Sequence, residues 1–211
     1  MEMEPKNREI RCCFFDMGNV LVYFSHKLMY EQIGKLCNRT GDEVSELMSK
    51  SGLLIKMEVG KLTEEEFHLE LQNLVSQKFS YEELKIASND IFKLNHEIVP
   101  LIKELKRMKF RLIVLSNTGK SHFEFIREKF EILDLFDDYT LSYQVGAMKP
   151  MALIYQDAVM KSGFQPEECF YTDDISAYIE AAKNLGIQAV QFQNVDQLRK
   201  TMRKRGIPLS E

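Results

Sequence analysis

Proline and glycine are scarce in this sequence, with 5 and 10 copies among 211 residues. Their joint share is roughly 7 %, against about 12 % in average proteins. That argues against a disordered, low-complexity or collagen-like chain, because enough apolar surface remains to offset the ordering entropy. An excess of positive charge is also missing: 28 Lys and Arg stand against 32 Asp and Glu, a net charge of −4. Binding along a phosphate backbone needs a concentrated positive field, so no nucleic-acid partner is expected. The densest basic run is Arg199, Lys200, Arg203, Lys204 and Arg205. It reads as the solvated last turn of a terminal helix, where cations suit the dipole, ahead of a small anion-binding patch.

No Cys-x-x-Cys pair occurs among Cys12, Cys13, Cys37 and Cys169. Adjacent Cys12 and Cys13 would point to opposite faces of a strand. Cysteines of this kind read as small buried hydrophobes of a reduced, cytoplasmic protein. No apolar run approaches a membrane span, and the charged start MEMEPKNREI lacks the apolar centre of a signal peptide. A cytoplasmic protein with no membrane partner is therefore expected. The length lies between one domain and two, and suffices for a sizeable core without disulfides or structural metals.

What is present is an alternation of strands and helices. Five apolar runs read as strands: 10–15, 110–115, 139–143, 169–172 and 188–192. The first, second and fourth are continuous rather than alternating, as in a parallel sheet buried on both faces. Helical patterns separate the later ones. Residues 98–108 carry the stripe Ile98, Leu101, Ile102 and Leu105. Residues 151–162 open after Pro150 and stop at Gly163, and 177–185 close against Gly186. The expected class is α/β, a Rossmann-like doubly wound parallel sheet. The exception is 25–96, which lacks a convincing strand and is rich in Leu, Met, Glu and Lys at helical spacing. Within it, Thr63 followed by Glu66 is a capping-box signature for a helix over 63–74. This stretch reads as a small helical insert, with 1–24 and 97–211 forming the α/β core.

Polar clusters fall at the carboxyl ends of the strands, the usual ligand edge of an open α/β sheet. Strand one ends in Asp16-Met17-Gly18-Asn19. Strand two ends in Ser116-Asn117-Thr118-Gly119, at a helix N-terminus whose free N–H groups suit an anion. Lys149 follows strand three, and Asp173-Asp174 end strand four. Neighbouring carboxylates repel and are costly to bury without a cation. An all-oxygen donor set suits Mg²⁺. A lysine and a hydroxyl facing the same point would complement a phosphate, and an aspartate can attack phosphorus to form an aspartyl-phosphate.

In order and spacing, FFDMGNVLV, VLSNT, GAMKP and FYTDD with AAKNLG resemble the four motifs of the haloacid dehalogenase superfamily over nearly the whole chain. The insert is similar to the small helical C1 cap of one branch. Within that branch the sequence looks most like bacterial sugar-phosphate phosphatases of the α-glucose-1-phosphate phosphatase type. It is more distantly similar to the amino-terminal phosphatase domain of soluble epoxide hydrolase. The resemblance implies that Asp16 is the nucleophile and a Mg²⁺ ligand, and that the Gly18 carbonyl also faces the metal. Ser116 and the Asn117 backbone would hold the phosphoryl oxygens, and Lys149 would neutralise the transferring group. Asp174 would bind Mg²⁺, with Asp173 helping directly or through its neighbours.

Two departures stand out. Many relatives carry an acid two residues after the nucleophile, where this chain has Gly18. General acid catalysis is typically worth about 10²–10⁴-fold, so His26 and His122 become candidate substitutes beside their ordinary packing roles. Tyr178 stands where many relatives have an Asn or Asp that supports the metal, and a phenol is a poor Mg²⁺ ligand. Phe123, Ile126 and Phe130 read as a core stripe. Met48, Leu53, Leu54 and Met57 read as packing inside the insert, with a substrate-facing surface as the alternative. The expected function is Mg²⁺-dependent hydrolysis of a small phosphorylated metabolite, a sugar phosphate above others, by a monomer or homodimer. The alternatives are metal-free haloacid dehalogenation and a phosphate-ligand-binding protein with little or no turnover.

Overall fold

The continuous apolar runs are central strands, as their lack of alternation requires. A computed structural model describes residues 9–210; the charged amino-terminal stretch 1–8 lies outside the described residues. Strands β1 (Cys12–Phe15), β4 (Arg111–Ser116), β5 (Asp138–Leu141), β6 (Cys169–Asp173) and β7 (Gln188–Gln191) form one sheet in the order β5-β4-β1-β6-β7. All neighbours run parallel. Register aligns Phe15 with Val114 on one side and with Thr172 on the other. The chain runs outward from β1 through β4 to β5, then crosses back to β6. The order therefore reverses beside β1, where open α/β sheets hold ligands.

Side chains of the central strands feed two separate cores. Cys13, Phe15, Leu112, Val114 and Phe170 pack on one face, and Cys12, Phe14, Ile113, Leu115 and Tyr171 on the other. Helices α6 (Val99–Arg107), α7 (Lys120–Lys129) and α11 (Val195–Lys204) cover the first face; α9 (Ala152–Ser162) and α10 (Ser176–Asn184) cover the second. The stripe Ile98, Leu101, Ile102 and Leu105 is wholly buried, each side chain contributing roughly 1.5–3 kcal/mol of transfer free energy. Phe123 and Ile126 are buried as well, whereas Phe130 is half-buried at the end of α7. The arginines near the chain end serve the fold. Arg199 pairs with Glu104 at 2.8 Å, and Arg199 and Arg203 both donate to the Ser210 carbonyl.

Two expectations about strands need correction. The run 139–143 is a strand only to Leu141; Ser142 and Tyr143 open a short helix, α8 (Ser142–Val145). There Ser142 exchanges hydrogen bonds with the Thr118 backbone. The insert also contributes to a small antiparallel pair, β2 (Val22–Tyr23) with β3 (Lys93–Leu94). These two-residue strands carry too little sequence to show a period.

The insert itself is α1 (His26–Cys37), α2 (Gly41–Ser51), α3 (Leu53–Glu58), α4 (Glu64–Val75) and α5 (Tyr81–Asn89). Reciprocal capping boxes start three of these helices, Thr40 with Glu43, Thr63 with Glu66 and Ser80 with Glu83. Each satisfies two otherwise free backbone N–H groups. Buried Asn95 ties the neck, donating from Nδ2 to the Val20 carbonyl and from its backbone N–H to Leu21. The far side is seated on the core by Glu64, which accepts from the Ser121 N–H at 2.9 Å. Gly60 sits at φ 68° and so close to Tyr143 that a Cβ would lie 2.3 Å from its carbonyl oxygen. Only glycine suits both that backbone and that approach.

Candidate active site

Four strand-end clusters converge as expected, around one ammonium group. Lys149 Nζ lies 2.8 Å from Asp16 Oδ1 and 2.6 Å from Asp173 Oδ2. It also donates to the Leu115 carbonyl at 3.2 Å. An ammonium has three protons, so these partners saturate it. Burial pulls Lys149 down, but the two carboxylates outweigh it and hold the group charged above its usual range. The rings of Tyr178 and Tyr171 flank it at 5.1 and 5.9 Å, within cation–π reach. Lys149 is set by its own backbone: the Asn117 side chain accepts from the Lys149 N–H at 2.8 Å and donates to its carbonyl at 3.1 Å. The Asn117 amide is thereby committed, which leaves its backbone for a ligand.

The aspartates differ in what they have free. Asp173 is fully buried, with Oδ2 accepting from Lys149 and the Tyr171 hydroxyl, and Oδ1 from the Ile175 N–H at 2.8 Å. Both oxygens are engaged, so Asp173 is a support for Lys149 more than an open ligand. Asp16 accepts from the Met17 N–H at 2.7 Å besides Lys149. Burial, opposed by Lys149 and aided by Asp173, pushes its carboxyl up to about 7. Half-buried Asp174 accepts from Asn19 Nδ2 at 3.0 Å. Asn19 has φ 55°, a left-handed turn that brings its amide over the sheet edge. Asparagine tolerates that conformation well. Among the described residues, buried Ser116 makes only a 3.4 Å contact from Oγ to the Asn117 carbonyl. That is longer than a sound hydroxyl hydrogen bond, which leaves the hydroxyl available.

Ligand atoms of Asp16, Asp173 and Asp174 lie within 4.8 Å of one another. Three carboxylates against one ammonium leave two uncompensated negative charges. A divalent cation of the hard, oxygen-seeking kind fits that deficit, with Asp16, Asp174 and the Gly18 carbonyl as the donors still open.

Above this cluster lies a cavity of about 210 Å³, walled by Phe24, His26, Glu58, Ile91, Phe92 and His122. It explains Gly18. A Cβ there would lie 2.7 Å from Cε1 of Phe24, so the phenyl ring fills the space that a side chain at position 18 would need. The sequence reading missed Glu58, the last residue of α3, because nothing local distinguishes it from other glutamates of the insert. Met48, Leu53, Leu54 and Met57 do not line this cavity but pack in the core of the insert.

The two candidate histidines do enter the cavity, but in the wrong state for an acid. Burial lowers both, His122 to about 4 with His26 adding to the effect. Folded protein thus keeps His122 neutral, while the unfolded chain takes up a proton at the ordinary value of 6.5. Stability from this group is fully present above 6.5 and is lost as pH falls toward 4. His122→Asn should flatten that part of the acid loss. Urea unfolding of both proteins across this range checks it; parallel curves would refute the assignment.

Residues 10–186 match the family model of haloacid dehalogenase-like hydrolases. The chain is 29 % identical over 197 residues to D-ribitol-5-phosphate phosphatase of Bacteroides thetaiotaomicron, spanning 88 % of this chain and 93 % of that one. A haloacid dehalogenase family enzyme of the same bacterium, in complex with magnesium and inorganic phosphate, superposes with a TM-score of 0.81. It is 23 % identical, and the match covers 90 % of this chain and 98 % of the other. A hydrolase of this type from Porphyromonas gingivalis also gives 0.81, at 25 % identity and coverage of 93 % and 99 %.

Proposed function

The chain belongs to the haloacid dehalogenase-like hydrolase family, and from that premise we propose that it is a Mg²⁺-dependent phosphatase of a small phosphorylated metabolite. The observation that carries this is the charge balance under the cavity: three aspartates within 4.8 Å and a single, saturated lysine. Such a floor repels a phosphate dianion until a divalent cation joins it. When bound, Mg²⁺ supplies the positive charge that admits the phosphoryl oxygens and offsets the charge of the transferring group.

The chain's own groups do the rest. Asp16 attacks phosphorus and holds the phosphoryl group as an aspartyl-phosphate until water displaces it. Lys149 keeps Asp16 in position through a 2.8 Å bond. Ser116 and the Asn117 backbone receive phosphoryl oxygens. Asp173 keeps Lys149 charged, and Tyr178 lies against Lys149 and Asn117 instead of serving the metal. A dehalogenase has no use for the charge of Asp174 beside its nucleophile. Among the described residues Lys149 is the one cationic side chain on the cavity wall, which favours a monophosphate with an uncharged body. The relative that acts on D-ribitol 5-phosphate points to polyol and sugar esters of that size. The attacking aspartate, the lysine and the phosphate-holding groups come from the core segments, and the insert 25–96 supplies part of the cavity wall.

Purified protein should release phosphate from one or more sugar or polyol phosphates, lose that activity in EDTA and regain it with Mg²⁺. Turnover indifferent to EDTA, or halide release from 2-haloacids, would overturn the proposal. Tight phosphate binding without release from any ester would favour a non-catalytic phosphate-binding role instead.

A further inference from the structure

The position two residues after Asp16 offers no acid, and the ring of Phe24 closes it to one. Breaking an unactivated ester still demands a proton for the departing oxygen. We propose that Glu58 of the insert is the catalytic acid, its carboxyl protonating the leaving oxygen as the phosphorus–oxygen bond breaks. The proposal rests on the phosphatase reading above and adds a residue to it.

Each other titratable group facing the cavity is otherwise committed. Asp16 is the attacking group, and Asp174 is held by Asn19 at the metal donors. All three Lys149 protons are engaged, and the ammonium is stabilised in its charged form. His26 and His122 are neutral. Burial raises the phenols of Tyr178 and of Tyr30, which faces Glu58 from α1. Glu58 alone is a carboxyl on the wall of the cavity without, among the described residues, a hydrogen-bond or ion-pair partner. It is also firmly carried. Leu53 and Met57 of the same helix are buried in the insert, and Gly60 two residues on is locked against the Tyr143 carbonyl. Burial, opposed only by Lys149, pushes the Glu58 carboxyl up to about 7. A group of that strength is substantially protonated near neutrality and still able to give its proton away.

The step balances. As Asp16 forms its bond to phosphorus, the ester oxygen leaves with the bonding pair and takes the proton of Glu58, giving alcohol, aspartyl-phosphate and a Glu58 carboxylate. The water that later displaces Asp16 returns a proton to Glu58 and leaves as part of inorganic phosphate.

Glu58→Gln preserves shape and removes the proton. The first step is read as release of the leaving group in a single turnover with enzyme in excess and Mg²⁺ present. Two substrates are compared: D-ribitol 5-phosphate, or another polyol or sugar phosphate hydrolysed in the screen, and acetyl phosphate, whose carboxylate leaves without a proton. The alkyl ester should slow by about 10²-fold or more, and acetyl phosphate by less than about threefold. Retained acetyl phosphate cleavage also reports an intact fold. Equal losses on the two substrates, or no loss on either, would overturn the role of Glu58, as would a wild type that cleaves acetyl phosphate but no alkyl phosphate. A wild type that cleaves neither defeats the phosphatase reading instead.

Discussion

Asp16→Asn is expected to abolish turnover, by at least about 10⁴-fold, in a protein that folds as well as the wild type. Loss of a nucleophile from an assembled site costs on this order because the remaining groups have nothing to act on. The amide cannot attack phosphorus, and it takes a negative charge away from the open donors for Mg²⁺. Stability should hold for a reason visible in the contacts. Burial and the charge of Asp173 both work against an ionised Asp16, so replacing that charge relieves a strain. Lys149 keeps its bonds to Asp173 and to the Leu115 carbonyl. Phosphate release measured beside thermal unfolding separates the two effects. Full turnover by the variant would refute an aspartyl-phosphate route through Asp16. A large fall in melting temperature would show that the charge supports the fold.

Much of this arrangement is legible in residue order alone, for physical reasons that also mark where reading stops. Buried parallel strands leave continuous apolar runs, and their carboxyl ends are the one edge where unpaired polar groups can gather. Asp16, Ser116, Lys149 and Asp173-Asp174 are therefore conspicuous. The capping box of Thr63 with Glu66 is equally local. Division of labour between Asp173 and Asp174 is not local. It depends on Tyr171, Ile175 and Lys149 filling the oxygens of one and on Asn19 reaching the other. The contacts of Asn95 and of the pair β2–β3 join segments seventy or more residues apart in the chain. Glu58 is hardest to foresee, since its reach into the cavity follows from a glycine packed on a distant carbonyl. Met48, Leu53, Leu54 and Met57, read from sequence as packing inside the insert, do pack there and hold the helix that carries Glu58.

Lys149→Met should be the most damaging single change to the folded protein. It leaves two buried carboxylates, Asp16 and Asp173, without the cation that both approach within 2.8 Å. Removing one partner of a buried ion pair typically costs about 3–5 kcal/mol, because the other charge stays desolvated and unpaired. Methionine matches the lysine stem in length, so lost packing contributes little and the deficit is electrostatic. Activity should disappear with the charge, since only the Met17 N–H then still holds Asp16 and no cation remains beside it. The origin of the loss can be isolated by a second substitution. Asp173→Asn, added to Lys149→Met, discards the fully buried charge while retaining an acceptor for Tyr171 and Ile175. The double variant should recover much of the stability, read from urea unfolding, and none of the turnover. If Lys149→Met instead unfolds at the wild-type denaturant concentration, the ammonium is not the group that makes this acidic floor tolerable. A double variant no more stable than the single one would mean that Asp173 is not the charge Lys149 compensates.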